Sequence, residues 1–172
     1  MDFLSLAKKR FSARQYSNRE VEQEKIDHIL EAGRVAPTAC NNQPQRILVI
    51  RTKEGLEKLS KACHPYGAPL ALVVCADHSS GSKRADDNKD LSDIDASIVT
   101  THMMLEATDL GLDSVWVCAF KPNIIREEFA LPDSVEPINL LLIGYSDGPR
   151  KSPDRFKTER LPLAQTVFYE SF

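Results

Sequence analysis

Glycine is scarce, with seven in 172 residues. None of them forms a Gly-x-Gly-x-x-Gly turn after a strand or a Gly-x-x-x-x-Gly-Lys-Ser/Thr loop. Both common backbone cradles for phosphate are therefore missing. Cysteine is also sparse: Cys40, Cys63, Cys75 and Cys118, with no Cys-x-x-Cys pair. Cys75 and Cys118 lie in apolar, strand-like runs, where a thiol usually serves as a small buried hydrophobe. The four histidines, His28, His64, His78 and His102, lack metal-ligand spacing, so no metal site is expected. No Gly-x-Ser-x-Gly elbow is present for a hydrolase. Positive charge is not in excess. The formal net charge is −3, which offers no overall field for nucleic acid or an anionic membrane. Long apolar runs are missing too. The longest, Pro69 to Ala76 and Ile138 to Tyr145, are strand-sized rather than membrane-sized. The N-terminus is too short and too charged for a signal peptide. The four thiols are accordingly expected to be reduced and the protein cytoplasmic.

What is present suits one globular domain over 1–172, with 42% hydrophobic and 27% charged residues. Residues 2 to 9 predict a short helix with Asp2 as N-cap. Val21 to Val35 predicts a second helix, because Ile26, Ile29, Leu30 and Gly33 follow the i, i+3, i+4, i+7 pattern. Arg46 to Arg51 and Leu70 to Ala76 read as buried strands, with a helix over Lys53 to Cys63 between them. Asp77 to Asp90 is polar and is expected to be the most mobile loop. Leu91 to Leu110 is the longest predicted helix, and Gly111 ends it as a left-handed C-cap residue. From Ala96 to Leu105 this helix is apolar or small nearly all round, which implies burial on most faces. That suggests a second subunit; the alternative is the central helix of a monomer. Asp93 and Asp95 fall at its start, where carboxylates are usually solvated or serve as caps. Ser114 to Ala119 predicts a third strand, Asn123 to Ala130 a short helix and Ile138 to Tyr145 a fourth strand. Four of the ten prolines fall between Pro137 and Pro162, so 147–172 is expected to form an extended tail. Its apolar end could add a strand to the sheet of the same or another subunit. With no clean βαβ alternation, the order implies α+β: a central sheet flanked by helices.

Two polar stretches do not look like core. Arg10, Ser12 and Arg14 alternate, so an extended backbone points all three one way. Two guanidinium forks and a hydroxyl suit a phosphate or a polyol. On spacing alone, the plainer reading is that Arg10 ends a helix and Arg14 is a solvated charge. The loop Pro37-Thr38-Ala39-Cys40-Asn41-Asn42-Gln43-Pro44 offers amides that donate and accept at once, which suits a heterocycle with mixed edges. It could equally be a turn between a helix and a strand.

Taken in order, these stretches resemble the FMN-dependent nitroreductase family, specifically its short single-domain members. Lys9-Arg10-Phe11-Ser12-Ala13-Arg14-Gln15-Tyr16 is similar to the family's Arg-Arg-Ser-x-Arg-x-Phe start. Ala36 to Pro44 is similar to its Ala-Pro-Ser-x-x-Asn-x-Gln-Pro loop. Gly111 to Phe120 resembles the strand that reaches the flavin, and Leu142-Ile143-Gly144-Tyr145 and Arg160-Leu161-Pro162-Leu163 resemble its closing elements. The resemblance implies an α+β fold with a mixed or antiparallel central sheet. It also implies an intertwined homodimer with FMN at the subunit interface and the tail from 147 docking on that dimer. Arg10 and Arg160 would hold the FMN phosphate, with Phe11 in the same wall and Ser12 near the phosphate or ribityl chain. Arg14 would lie near the pyrimidine edge, where positive charge raises the reduction potential. Pro37, Thr38, Ala39, Asn41 and Gln43 would come from the other subunit, and the backbone of Cys118 and Ala119 would approach N5. NAD(P)H would give hydride and a nitroaromatic, quinone or related acceptor would take two electrons in ping-pong fashion. Solvent can supply protons, so no side chain is expected to be catalytic. Flavin reduction, dehalogenation and flavin binding without turnover are the alternatives. Phe11, Gln45 and Asp113 depart from the family pattern.

Overall fold

The computed structural model describes residues 2–172. Its elements run α1 (Phe3–Lys9), α2 (Gln23–Arg34), β1 (Gln45–Ile50), α3 (Lys53–Ser60), β2 (Leu70–Asp77), α4 (Ser92–Asp109), β3 (Asp113–Val117), α5 (Pro122–Glu128) and β4 (Val135–Gly144). Short 3-10 turns occupy Ala39–Asn41, Pro153–Lys157 and Leu163–Gln165. Local chemistry sets the ends. Asp2 Oδ1 accepts the Ser5 N–H at 3.0 Å, and Thr52 Oγ1 accepts that of Gly55 at 3.1 Å; both satisfy orphan first-turn donors. Pro122 opens α5, where its missing N–H costs nothing. Gly111, at φ +78°, turns the chain out of α4 as expected.

The four strands lie in the order β1-β2-β4-β3, and every pairing between them is antiparallel. The two central strands are covered on both faces, which is why they read as continuous apolar runs. Alternate residues go to opposite sides. Leu70, Leu72, Val74, Leu141 and Ile143 pack with Ile26 and Ile29 of α2 and with Ala96, Val99 and Met103 of α4. Ala71, Val73, Cys75, Leu140 and Leu142 pack with Leu59 of α3 and Ile125 of α5. The predicted α+β architecture is therefore present. On the α2–α4 side the helices approach closely where Gly33 lies against Met103 and Val99.

Several expectations shift. Strand β4 begins at Val135 rather than Ile138. Pro137 sits opposite Cys75 beside a register shift, the kind of irregularity where a missing ladder N–H is tolerated. Helix α3 stops at Ser60 and gives way to turns. Cys75 is buried, and burial pushes its thiol up to about 11. Cys118, by contrast, is exposed just past the end of β3. The segment 77–90 is internally bonded: Arg84 N–H donates to Lys89 O at 2.9 Å and Leu91 N–H to Ser82 O at 3.0 Å. The tail adds no strand to its own sheet. It makes two 3-10 turns, and every residue from 161 to 172 is exposed.

Candidate functional site

The first half of the site is the segment after α1. Phe11 and Ala13 are buried while Ser12 and Arg14 are exposed, the alternation of an extended chain. Ala13 N–H donates to Ser114 O at 3.0 Å, and Ser12 forms a parallel bridge with Ser114. The segment thus lies along the free edge of β3. Tyr16 is buried beneath it and directs its hydroxyl at Ala13 O (3.1 Å) and Leu142 O (3.2 Å). Burial raises the phenol, so it remains a donor. The Phe11 side chain is 6% exposed and packs in the core, so any part it plays at the site falls to its backbone.

A cationic cluster forms where α1 ends. Arg155 donates to Arg10 O at 2.6 Å and to Lys8 O at 3.3 Å, which satisfies C-terminal carbonyls of the helix. Its guanidinium stacks 4.0 Å from the Phe156 ring centroid, and that of Arg160 lies 4.8 Å from the same ring. Burial, then the charges of Arg155 and Arg160, push the Arg10 pKa down. Among the described residues neither Arg10 nor Arg160 has a carboxylate within ion-pair distance, and Arg155 has only Glu159 at 3.9 Å. Arg10 and Arg160, with no carboxylate to balance them, and the exposed Ser12 hydroxyl are a donor set that fits a phosphate, while Arg155 is committed to the backbone of Lys8, Arg10 and Ser152. The FMN phosphate expected here therefore fits the residues present. Sequence reasoning missed Arg155, which lies in a charged, Pro-rich stretch with no periodicity to mark it.

The second half is the loop before β1. Pro37, Asn41 and Gln43 are exposed, and Thr38 and Ala39 are partly so. Cys40, Asn41 and Gln43 have φ of 53°, 54° and 53°, left-handed values that non-glycine residues rarely adopt. Side chains hold it there. Thr38 Oγ1 accepts Gln43 N–H at 3.1 Å, Ser82 Oγ accepts from Asn42 Nδ2 at 2.9 Å, and Asp95 Oδ1 accepts Ala39 N–H at 2.8 Å. Asp95 is thus not the solvated or capping carboxylate expected from its place in the sequence; it is 1% exposed.

Cys118 and Ala119 are exposed at the end of β3. Buried Asn139 steadies that end. Its Oδ1 accepts from Trp116 Nε1 at 2.9 Å and lies 3.9 Å from Cys118 Sγ. Its amide donates to Ser97 and Thr100 of α4. Asp113, one of the departures, is buried and pairs with Arg150 at 3.0 Å. Burial raises its carboxyl, against the pull of Arg150 and the Ser146 N–H.

Arg10, Ser12 and Arg14 lie on the segment that runs along β3, and Arg160 lies near Arg10. The 37–43 loop leads into β1, the opposite edge strand of the sheet. No hydrogen bond or ion pair joins the two stretches among the described residues. No group of three or more His, Cys, Asp or Glu placed to hold a metal occurs among them either.

The profile of the nitroreductase family matches residues 7–65 and 63–145. The chain belongs to the nitroreductase family. The matched segments stop at 145, so Arg155 and Arg160 lie beyond them. A crystal structure of a nitroreductase family protein from Clostridium difficile 630 is 56% identical, covers 100% of both chains and superposes with a TM-score of 0.98. An FMN-dependent nitroreductase from Clostridium difficile R20291 is 29% identical, with a TM-score of 0.82, covering 99% of this chain and 100% of that one. Among curated family relatives, the FMN reductase [NAD(P)H] of Bacillus subtilis is 30% identical across 94% of this chain and 70% of its own length. No helix among the described residues is long and apolar enough to cross a membrane.

Proposed function

We propose that the chain is one subunit of an FMN-dependent oxidoreductase that takes hydride from NAD(P)H and passes two electrons to a nitroaromatic, quinone or related acceptor. The oxidoreductase class rests on family membership and on relatives named as nitroreductases and as an NAD(P)H-dependent FMN reductase. The observation that supports the cofactor is that Arg10, which follows α1 and carries the nearby charges of Arg155 and Arg160, has no carboxylate partner among the described residues, and neither does Arg160. In this reading Arg10 and Arg160 hold the phosphate and Ser12 hydrogen-bonds to it or to the ribityl chain. The exposed Arg14 sets positive charge at the ring's pyrimidine edge. Pro37, Thr38, Ala39, Asn41 and Gln43 line the ring and ribityl chain, and the backbone of Cys118 and Ala119 faces its reactive edge. When bound, FMN supplies reversible two-electron transfer, which lets donor and acceptor use one site in turn. The protein orients, charges and shields it, and no side chain is assigned a catalytic role.

The two halves of the site lie at opposite edges of one sheet, so a second copy must bring the loop to the strand. Exposed apolar side chains support such a homodimer. Phe3 and Leu4 of α1 are 70% and 61% exposed, and the tail carries Leu161, Leu163, Phe168 and Phe172 on its surface. Residues 1–172 form one domain, and 147–172 dock on the partner. Four unpaired thiols are in keeping with the cytoplasm.

Purified protein titrated with FMN tests the reading. It is expected to turn yellow, bleach with NADH or NADPH under anaerobic conditions, and regain colour on adding a quinone or nitroaromatic. Protein that leaves added FMN free in solution would sink the proposal. The Bacillus subtilis relative favours one second reading, in which free flavin is the acceptor. Faster re-oxidation by free FMN than by any quinone or nitroaromatic would select it.

A further inference from the structure

The 37–43 loop is held from beneath by groups far from it in sequence. Asp95, on the first turn of α4, is 1% exposed. Its Oδ1 accepts the Ala39 N–H at 2.8 Å. Its Oδ2 is buried and has no hydrogen-bond partner among the described residues. Ser82, itself 7% exposed, donates to Ala39 O at 3.1 Å and accepts from Asn42 Nδ2 at 2.9 Å. Ala39 is therefore gripped at both its N–H and its C=O, directly before the left-handed residues Cys40 and Asn41. Burying a carboxyl group with one oxygen unpartnered is costly. What Asp95 contributes is a fixed backbone at Ala39, in a loop whose dihedrals would otherwise relax.

We propose that Asp95 is a positioning residue for the flavin site: through Ala39, and with Ser82, it holds the left-handed loop in the shape that receives the isoalloxazine and ribityl groups. The proposal rests on the reading that this loop lines FMN. It places the determinant of loop shape on α4, more than fifty residues along the chain, and makes that shape independent of whether FMN is present.

The test compares wild type, Asp95→Asn, Asp95→Ala and Ser82→Ala by FMN fluorescence titration and by backbone amide hydrogen exchange without FMN. Asp95→Ala is expected to weaken FMN binding at least tenfold and to speed exchange of the 39–43 amides at least tenfold. Exchange in β2 and in the second half of α4 should stay slow. Asp95→Asn keeps an acceptor oxygen and should restore most of both properties. Ser82→Ala should show the same pattern at lower amplitude, and it carries the test if Asp95→Ala fails to fold. Unchanged FMN affinity in Asp95→Ala, or in Ser82→Ala where that variant stands in, would overturn the proposal. So would exchange that quickens uniformly across α4 and β2, because Asp95 would then be a general stability residue. Wild-type protein that binds no FMN would instead bring down the flavin reading, and this assignment with it.

Discussion

The two stretches that flank the proposed flavin are secured in opposite ways. Arg10–Arg14 is held by backbone and core: Ala13 donates into Ser114 O, and Phe11 and Ala13 are buried under it. The loop from Ala36 to Pro44 is buried only at its two ends. Between them it is held by side chains reaching from Thr38, Ser82 and Asp95 into left-handed backbone. The first arrangement can fail only with the domain. The second can fail locally, because hydrogen bonds to a surface loop open well below the global unfolding free energy.

The largest effect should come from the strand side. Phe11→Ala removes a buried ring and should cost about 3–5 kcal/mol of stability in denaturant unfolding. A loss below about 1 kcal/mol would show that the segment is not anchored by its core residues. Next is Arg10→Ala, which should weaken FMN retention by about 1.5–3 kcal/mol, the scale of a charge-assisted bond. Its unfolding free energy should change by about 0.5 kcal/mol or less. Equal FMN affinity in a titration would remove Arg10 from the phosphate site. On the loop side, Cys40→Gly should be neutral or stabilising by up to about 1 kcal/mol. It relieves a left-handed penalty of roughly 1–2 kcal/mol and adds roughly 0.5–1 kcal/mol of chain entropy. A clear loss of stability would show that the loop is packed in place like the strand.

The smallest effect is a dependence on pH. Both ring nitrogens of His78 face carboxylates, Asp90 at 3.2 Å and Glu136 at 3.1 Å, with Asp93 at 3.9 Å. Burial pulls its pKa down, but the three carboxylates outweigh burial and raise it above the ordinary value of 6.5. A group raised in the folded state contributes fully below its unfolded value and loses that contribution as pH rises through the folded one. His78 joins the start of the 77–90 segment to β4 and α4, and Ser82 of that segment holds the loop. Loop amide exchange, corrected for its intrinsic pH dependence, should therefore quicken modestly from slightly acid to alkaline pH. His78→Gln should abolish that trend, and an identical trend in both proteins would exclude His78.

This contrast also explains what could be read in advance. Alternation at Arg10, Ser12 and Arg14 is a period-two signal, and the backbone obeys it. The two-sided core shows in the apolar runs of β2 and β4, because burial on both faces leaves no room for polar residues. Pro137 concealed the first turn of pleat in β4, since a proline looks like a breaker until a bulge accommodates it. Cys118 was misplaced because an apolar run does not announce where pairing stops. Asp95 and Arg155 were invisible for a deeper reason. Each acts on a backbone group distant in sequence, and carboxylates at a helix start or arginines in a charged tail look the same whether or not they find one.

Gly33 works with Asp95 in a way that neither residue shows alone. A side chain at 33 would bring its Cβ to 2.9 Å from Met103 and 3.3 Å from Val99. Without one, α2 rests directly on α4. The loop starts just after α2, and Asp95 lies about two turns before Met103 on α4. The helix pair behaves as a caliper: contact at one point fixes the gap that a single carboxyl oxygen spans at the other. A methyl group at 33 would have to displace the buried Met103 side chain or move the two helices apart.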